Sequence, residues 1–168
     1  MQATTTKAEA KYLSFKLAEE TYAIEILKVR EIIGLLEITA VPKTAAHIRG
    51  VVNLRGKIVP VLDMRAKFGL PAVESRRENC IITVMAEGPQ GALLVGVLVD
   101  SVSEVMRVAD EDLEAVPALG EDMRLDFVVG LAKSQGKVSI VLDIDKVIQA
   151  KDLSQLQDLE RNLSAQQA

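Results

Sequence analysis

The chain has 168 residues; 49% are apolar, only 3% are aromatic, and Trp is absent. This composition excludes a disordered chain and leaves Val, Ile, Leu and Ala to fill the core. A net charge of −4 excludes a general attraction for nucleic acid or for an anionic membrane surface.

Residues 1–10 read as a flexible polar start with no apolar run of the signal-peptide kind. Residues 12–17 alternate, with Leu13, Phe15 and Leu17 on one face and Tyr12, Ser14 and Lys16 on the other. That is the pattern of a half-buried strand. A turn at 18–20 leads to Tyr22, Ile24 and Ile26, so the first two strands form a hairpin. Residues 27–33 fit either a helical turn or a strand. Pro42 closes this region, and Thr44 is placed to cap one helical turn reaching Ile48. The run G-V-V-N-L-R-G-K-I-V-P-V-L-D over 50–63 predicts two strands about a tight turn at Arg55–Gly56, with Gly56 at positive φ. Asp63 then caps a short helix ending at Phe68. The charged loop over 69–78 is the best boundary. Strands return over 81–85 and 93–99, about a turn at 88–91. The longest apolar stretch, 92–99, is broken by Gly96 and is too short to span a bilayer. Leu153, Leu156, Leu159 and Leu163 recur at helical spacing, which predicts an amphipathic helix over 151–168 with a frayed end.

An internal repeat runs beneath these elements. G-K-I-V-P-V-L-D at 56–63 returns as G-K-V-S-I-V-L-D at 136–143. A-V-P at 40–42 returns at 115–117, and V-R-E-I at 29–32 is echoed by V-S-E-V at 102–105. The matches keep their order while the offset grows, as loop insertions in a duplicated unit produce. The chain is therefore mostly β, with one unit over about 11–68 and a second over about 79–148. Units of this size with short strands curl into small barrels, and two of them leave a cleft.

No catalytic constellation stands out. His47 is the only histidine and Cys80 the only cysteine, which removes a zinc cluster and an internal disulfide. Asp63 and Asp143 lack the Thr/Ser-Gly that follows the aspartates of an aspartic protease, and helix capping explains them better. There is no phosphate loop. No metal or cofactor is expected. The polar turn Asn53, Leu54, Arg55, Gly56 remains, with Arg55 read either as a solvated loop charge or as a cation at the mouth of a cleft.

These residues resemble the CheW-type coupling proteins of bacterial chemotaxis over about 11–150. The likeness is carried by Y-A-I-E-I-L-K-V-R-E-I at 22–32, H-I-R-G-V-V-N-L-R-G at 47–56, I-V-P-V-L-D at 58–63 and G-V-L-V-D-S-V-S-E-V at 96–105. The resemblance implies two linked SH3-like five-stranded barrels, with strands open to exchange between them, and no catalytic site. It implies an adaptor that bridges the cytoplasmic tips of methyl-accepting chemoreceptors to the regulatory domain of the histidine kinase CheA, alongside further copies of itself in arrays. It places the protein in the cytoplasm, recruited to membrane-associated arrays without inserting into the bilayer. Val29, Glu31, Asn53, Arg55 and Gly56, with Val97 and Val99, are the expected receptor-binding residues. The kinase contact falls on the second barrel, at residues the motifs do not name. With no kinase or receiver segment, the chain resembles the stand-alone form. The alternatives are a coupling protein for surface motility or biofilm control, and a small-ligand-binding double barrel or hydrolase.

Overall fold

The computed structural model describes residues 9–42, 44–88, 91–115, 127–134, 136–148 and 150–166. It confirms a mostly β protein, built as two sheets with short helices. The first hairpin is β1 (Glu9–Leu17) and β2 (Glu20–Glu25). A 3₁₀ turn (Ile26–Lys28) leads into β3 (Val29–Gly34), so the ambiguous stretch is helical turn first and strand second. Then come β4 (Ile48–Leu54), β5 (Lys57–Asp63) and helix α1 (Met64–Lys67). The second half repeats the series with β6 (Cys80–Gly88), β7 (Gly91–Val99), β8 (Ser101–Ala109) and β9 (Leu113–Glu114). It ends with β10 (Val128–Ser134), β11 (Lys137–Leu142), α2 (Ile144–Val147) and α3 (Ala150–Gln166).

The sheets do not follow the repeat units. The five-stranded sheet runs β3-β6-β7-β5-β4, and the six-stranded sheet runs β8-β1-β2-β11-β10-β9. Each unit's opening hairpin therefore completes the sheet of the other unit. Each hairpin joins the other unit through one parallel pair, β7 with β5 or β2 with β11, and one antiparallel pair, β6 with β3 or β1 with β8. The repeat survives in the detail of each sheet. Asp63 accepts the N–H groups of Arg65 and Ala66 to cap α1, and Asp143 accepts that of Asp145 to cap α2. Gly50 and Gly130 both sit at bulges, where a Cβ would overlap the carbonyls of Thr39 and Glu114.

Three apolar clusters result. One lies within the six-stranded sheet, around Tyr12, Met106 and Val141. A second lies within the five-stranded sheet, around Val52, Leu54, Val59 and Ile81. The largest lies between the sheets and takes Leu13, Phe15, Leu17, Ile82, Val84 and Leu142. Phe15, Tyr22, Phe68 and Phe127 form a row with successive ring centroids 6.0, 5.5 and 5.2 Å apart. Four of the five aromatic residues thus tie β1, β2, the end of α1 and the approach to β10.

Three local expectations need correction. Tyr12 and Ser14 are buried like Leu13 and Phe15, because β1 has a core on both faces. Thr44 caps no helix; its hydroxyl donates to the Val41 carbonyl, and the chain turns directly into β4. Glu9 and Ala10 already pair with Ala109 and Val108, so the ordered chain starts before residue 11, while residues 1–8 lie outside the described set. The expected fraying falls on residues 167–168, which also lie outside it.

Asp100 joins several of these parts. Its carboxylate accepts two bonds from the Arg65 guanidinium at 2.7 and 2.6 Å, and the Ala18 N–H at 2.7 Å. Burial alone would raise its pKa. The Arg65 and Ala18 hydrogen bonds outweigh that and hold it below the ordinary 3.8. A depressed carboxyl stabilises the fold above its unfolded value and loses that contribution as pH falls through the folded one. The melting temperature should therefore drop on acidification below about pH 4. Asp100→Asn should melt lower at neutral pH and show a shallower acid decline; an equally steep decline would contradict the assignment.

Candidate partner-binding site

The turn between β4 and β5 forms because Arg55 and Gly56 both adopt positive φ, at 52° and 85°. Gly56 meets that demand without a Cβ penalty. The Asn53 side-chain oxygen accepts the Gly56 N–H at 2.8 Å and locks the turn. Arg55 is thereby aimed outward, at 69% side-chain exposure.

Its partner comes from across the sheet. Glu31 lies on β3, one edge of the five-stranded sheet, whereas Arg55 follows β4, the other edge. The guanidinium donates to both carboxylate oxygens of Glu31, at 2.6 and 3.0 Å. The sheet is curled enough for its two edges to be clasped by one bidentate pair. Arg55 is thus an exposed cation that already has a partner within the chain. Thr83, on the neighbouring β6, donates to the Glu31 carbonyl at 3.1 Å and fixes the strand beneath the pair. The Arg55 hydrogen bonds hold the Glu31 carboxyl below its ordinary value, and the Glu31 bonds raise Arg55 in turn.

The other expected residues divide into two groups. Val29 is half-buried and packs on the margin of the central core, at the start of the strand that carries Glu31. Val97 and Val99 are 1% and 2% exposed. On β7, alternate side chains face opposite sides, and these two point between the sheets. In this structure they support the site from inside and offer no surface to a partner. Leu27, which no sequence motif singles out, is 90% exposed beside a shallow cavity of about 350 Å³ lined by Arg30, Met85, Ile148 and Leu153. Its one signal was its place in the I-L-K turn before β3. A second apolar hollow of about 440 Å³ lies at the β4 edge, lined by Val41, Pro42, Val51, Ile58 and Leu163.

The groups screened for chemistry have structural partners. His47 pairs with Asp152, whose other carboxylate oxygen binds Lys67 at 2.7 Å, so these three fasten α3 to α1. Cys80 is half-buried, with its thiol 3.4 Å from the Glu78 carbonyl. Among the described residues no cluster of His, Cys, Asp and Glu is set to hold a metal. No described helix is long and apolar enough to cross a membrane.

Comparison with known proteins returns one consistent answer. The family model of the CheW-like domain matches residues 11–152. The Chemotaxis protein CheW of Klebsiella aerogenes is 33% identical over 151 residues, covering 90% of this chain and 89% of its own. The crystal structure of the scaffolding protein TtCheW from Thermoanaerobacter tengcongensis superposes with a TM-score of 0.75 at 32% identity, covering 86% of this chain and 96% of that one. Protein FrzA of Myxococcus xanthus is 26% identical over 149 residues, covering 88% and 90%.

The clasp gives a direct test. In an NMR titration the Glu31 carboxyl should titrate below its ordinary 4.5 and move up towards it in Arg55→Ala. An unmoved Glu31 titration would show that the pair does not persist in solution.

Proposed function

We propose, from the premise that the chain belongs to the CheW-like domain family, that it bridges the cytoplasmic tips of chemoreceptors to the regulatory domain of the histidine kinase CheA. The chain is a chemotaxis coupling adaptor of the CheW type, a scaffold and not an enzyme. The observation that carries the bridging reading is the two-way coverage of the match, in which nearly all of a dedicated scaffolding protein aligns with this chain.

Receptor binding is assigned to the clasped edge of the five-stranded sheet, at Val29, Glu31, Asn53, Arg55 and Gly56. A helical receptor tip has an apolar stripe to bury and polar flanks to satisfy. The half-buried Val29 supplies apolar contact there, and the exposed Glu31–Arg55 pair supplies donors and acceptors at the rim. Holding Arg55 in place beforehand lowers the ordering cost of binding. Kinase binding is assigned to the second barrel, the one built on the six-stranded sheet, away from that edge, so both partners are held at once. Association is then the sole energy source, and each partner raises the effective concentration of the other.

The likeness to Protein FrzA, a relative not named for chemotaxis, supports a second reading as the coupling protein of a parallel sensory pathway. The surface assignments are the same in both readings.

Arg55→Ala should weaken receptor-fragment binding by roughly five- to a hundredfold, the loss of about 1–3 kcal/mol of charge-assisted contact. Kinase-domain binding should stay unchanged, and receptor fragment should not displace the kinase domain in a competition titration. Unaltered receptor affinity in a folded Arg55→Ala protein would remove Arg55 from the site; displacement would refute separate surfaces.

A further inference from the structure

The chain crosses between the sheets at two pseudo-equivalent points. After β2 it passes through the Ile26–Lys28 turn into β3, and after β7 it passes through Asp100 into β8. Each crossover is stapled to the short helix that follows the neighbouring parallel strand. Lys28 donates to Asp145 of α2 at 2.7 Å. Arg65 of α1 grips Asp100 with two bonds at 2.7 and 2.6 Å. Arg65 and Asp145 occupy the same place in the repeat, two residues after the capping Asp63 and Asp143. The helix ends of the two staples are thus related by the duplication, and the crossover ends stand one position apart in the repeat that matches Val29 with Val102. Their polarity is reversed: cation on helix and anion on crossover in one, the opposite in the other.

A duplicated chain has a competing fold in which each hairpin stays with its own unit. There β2 lies beside β5 and β7 beside β11, so Lys28 meets Arg65 and Asp100 meets Asp145. Both contacts are then between like charges. We infer that the reversed polarity of the Arg65–Asp100 and Lys28–Asp145 staples is a pairing code that directs each hairpin into the other unit's sheet. The code acts beside apolar strands that themselves differ between the units, β2 spanning six residues and β7 nine. It works by attraction in the exchanged fold and repulsion in the other. Lys28 also stands directly before Val29 and Glu31, so the same staple sets where the candidate site begins.

A charge-swap cycle on the full chain tests the code by thermal melting. One variant reverses the helix charges, Arg65→Asp with Asp145→Arg. A second reverses the crossover charges, Lys28→Asp with Asp100→Lys. Each should lower the melting temperature by roughly 5 °C or more, and the four changes together should recover at least half of the summed loss, since opposite charges again face each other in the exchanged fold. Additive losses, or a helix-swapped variant that melts like the parent, would overturn the inference. Should the four-fold variant not fold, the exposed staple alone tests the attraction on which the code rests. Lys28→Asp and Asp145→Lys should each lower the melting temperature and jointly restore it, and additive losses there count equally against the code.

Discussion

The exchange of hairpins between the two repeat units is the constraint on which the rest of the structure depends. Because β1 and β2 complete the sheet of the second unit, and β6 and β7 that of the first, neither sheet closes from one unit alone. The exchange also accounts for the dense burial of these strands. Leu13, Phe15 and Leu17 face the core between the sheets, while Tyr12 faces the core within one of them. On β7 the same division sends Val95, Val97 and Val99 to the shared core, and Leu94 and Leu98 inward to their own sheet. A strand with two apolar neighbours has little freedom to slip, since a shift of one residue exchanges both sets of contacts at once.

That rigidity has a functional reading. An adaptor that works by association gains from surfaces held in place before a partner arrives. The Glu31–Arg55 clasp spans the two edges of the five-stranded sheet, and the Asn53 bond to Gly56 fixes the turn that presents Arg55. Three ion pairs then fasten the helices to the crossovers and to one another: Arg65–Asp100, Lys28–Asp145 and Lys67–Asp152. Exposed apolar groups near the clasped edge include Leu27, in the turn that enters β3, and Ile32, beside Glu31 on β3.

Much of this was legible in the residues. The Arg55–Gly56 turn, the caps at Asp63 and Asp143, and the hairpins followed from local rules that depend on a few neighbours. The repeat was visible because its strands kept their order and their turn glycines. What sequence did not disclose was which faces meet. Val97 and Val99 sit in a motif shared with the family, but alternation along a strand distinguishes two faces without saying which one is covered. Here both are covered. Arg55 looked unpaired for a related reason: Glu31 is 24 residues away, on the opposite edge, and only the curl of the sheet brings them together. Thr44 precedes no helix: its hydroxyl donates to the Val41 carbonyl and the chain turns directly into β4.

The central claim is that one passive chain holds receptor and kinase together. It is tested most directly by reconstituting fixed amounts of receptor and kinase with increasing amounts of this protein, and measuring receptor-controlled kinase activity. Bridging predicts a rise followed by a fall, because excess adaptor fills receptor and kinase sites separately. A rise to a plateau that persists at large excess would contradict it.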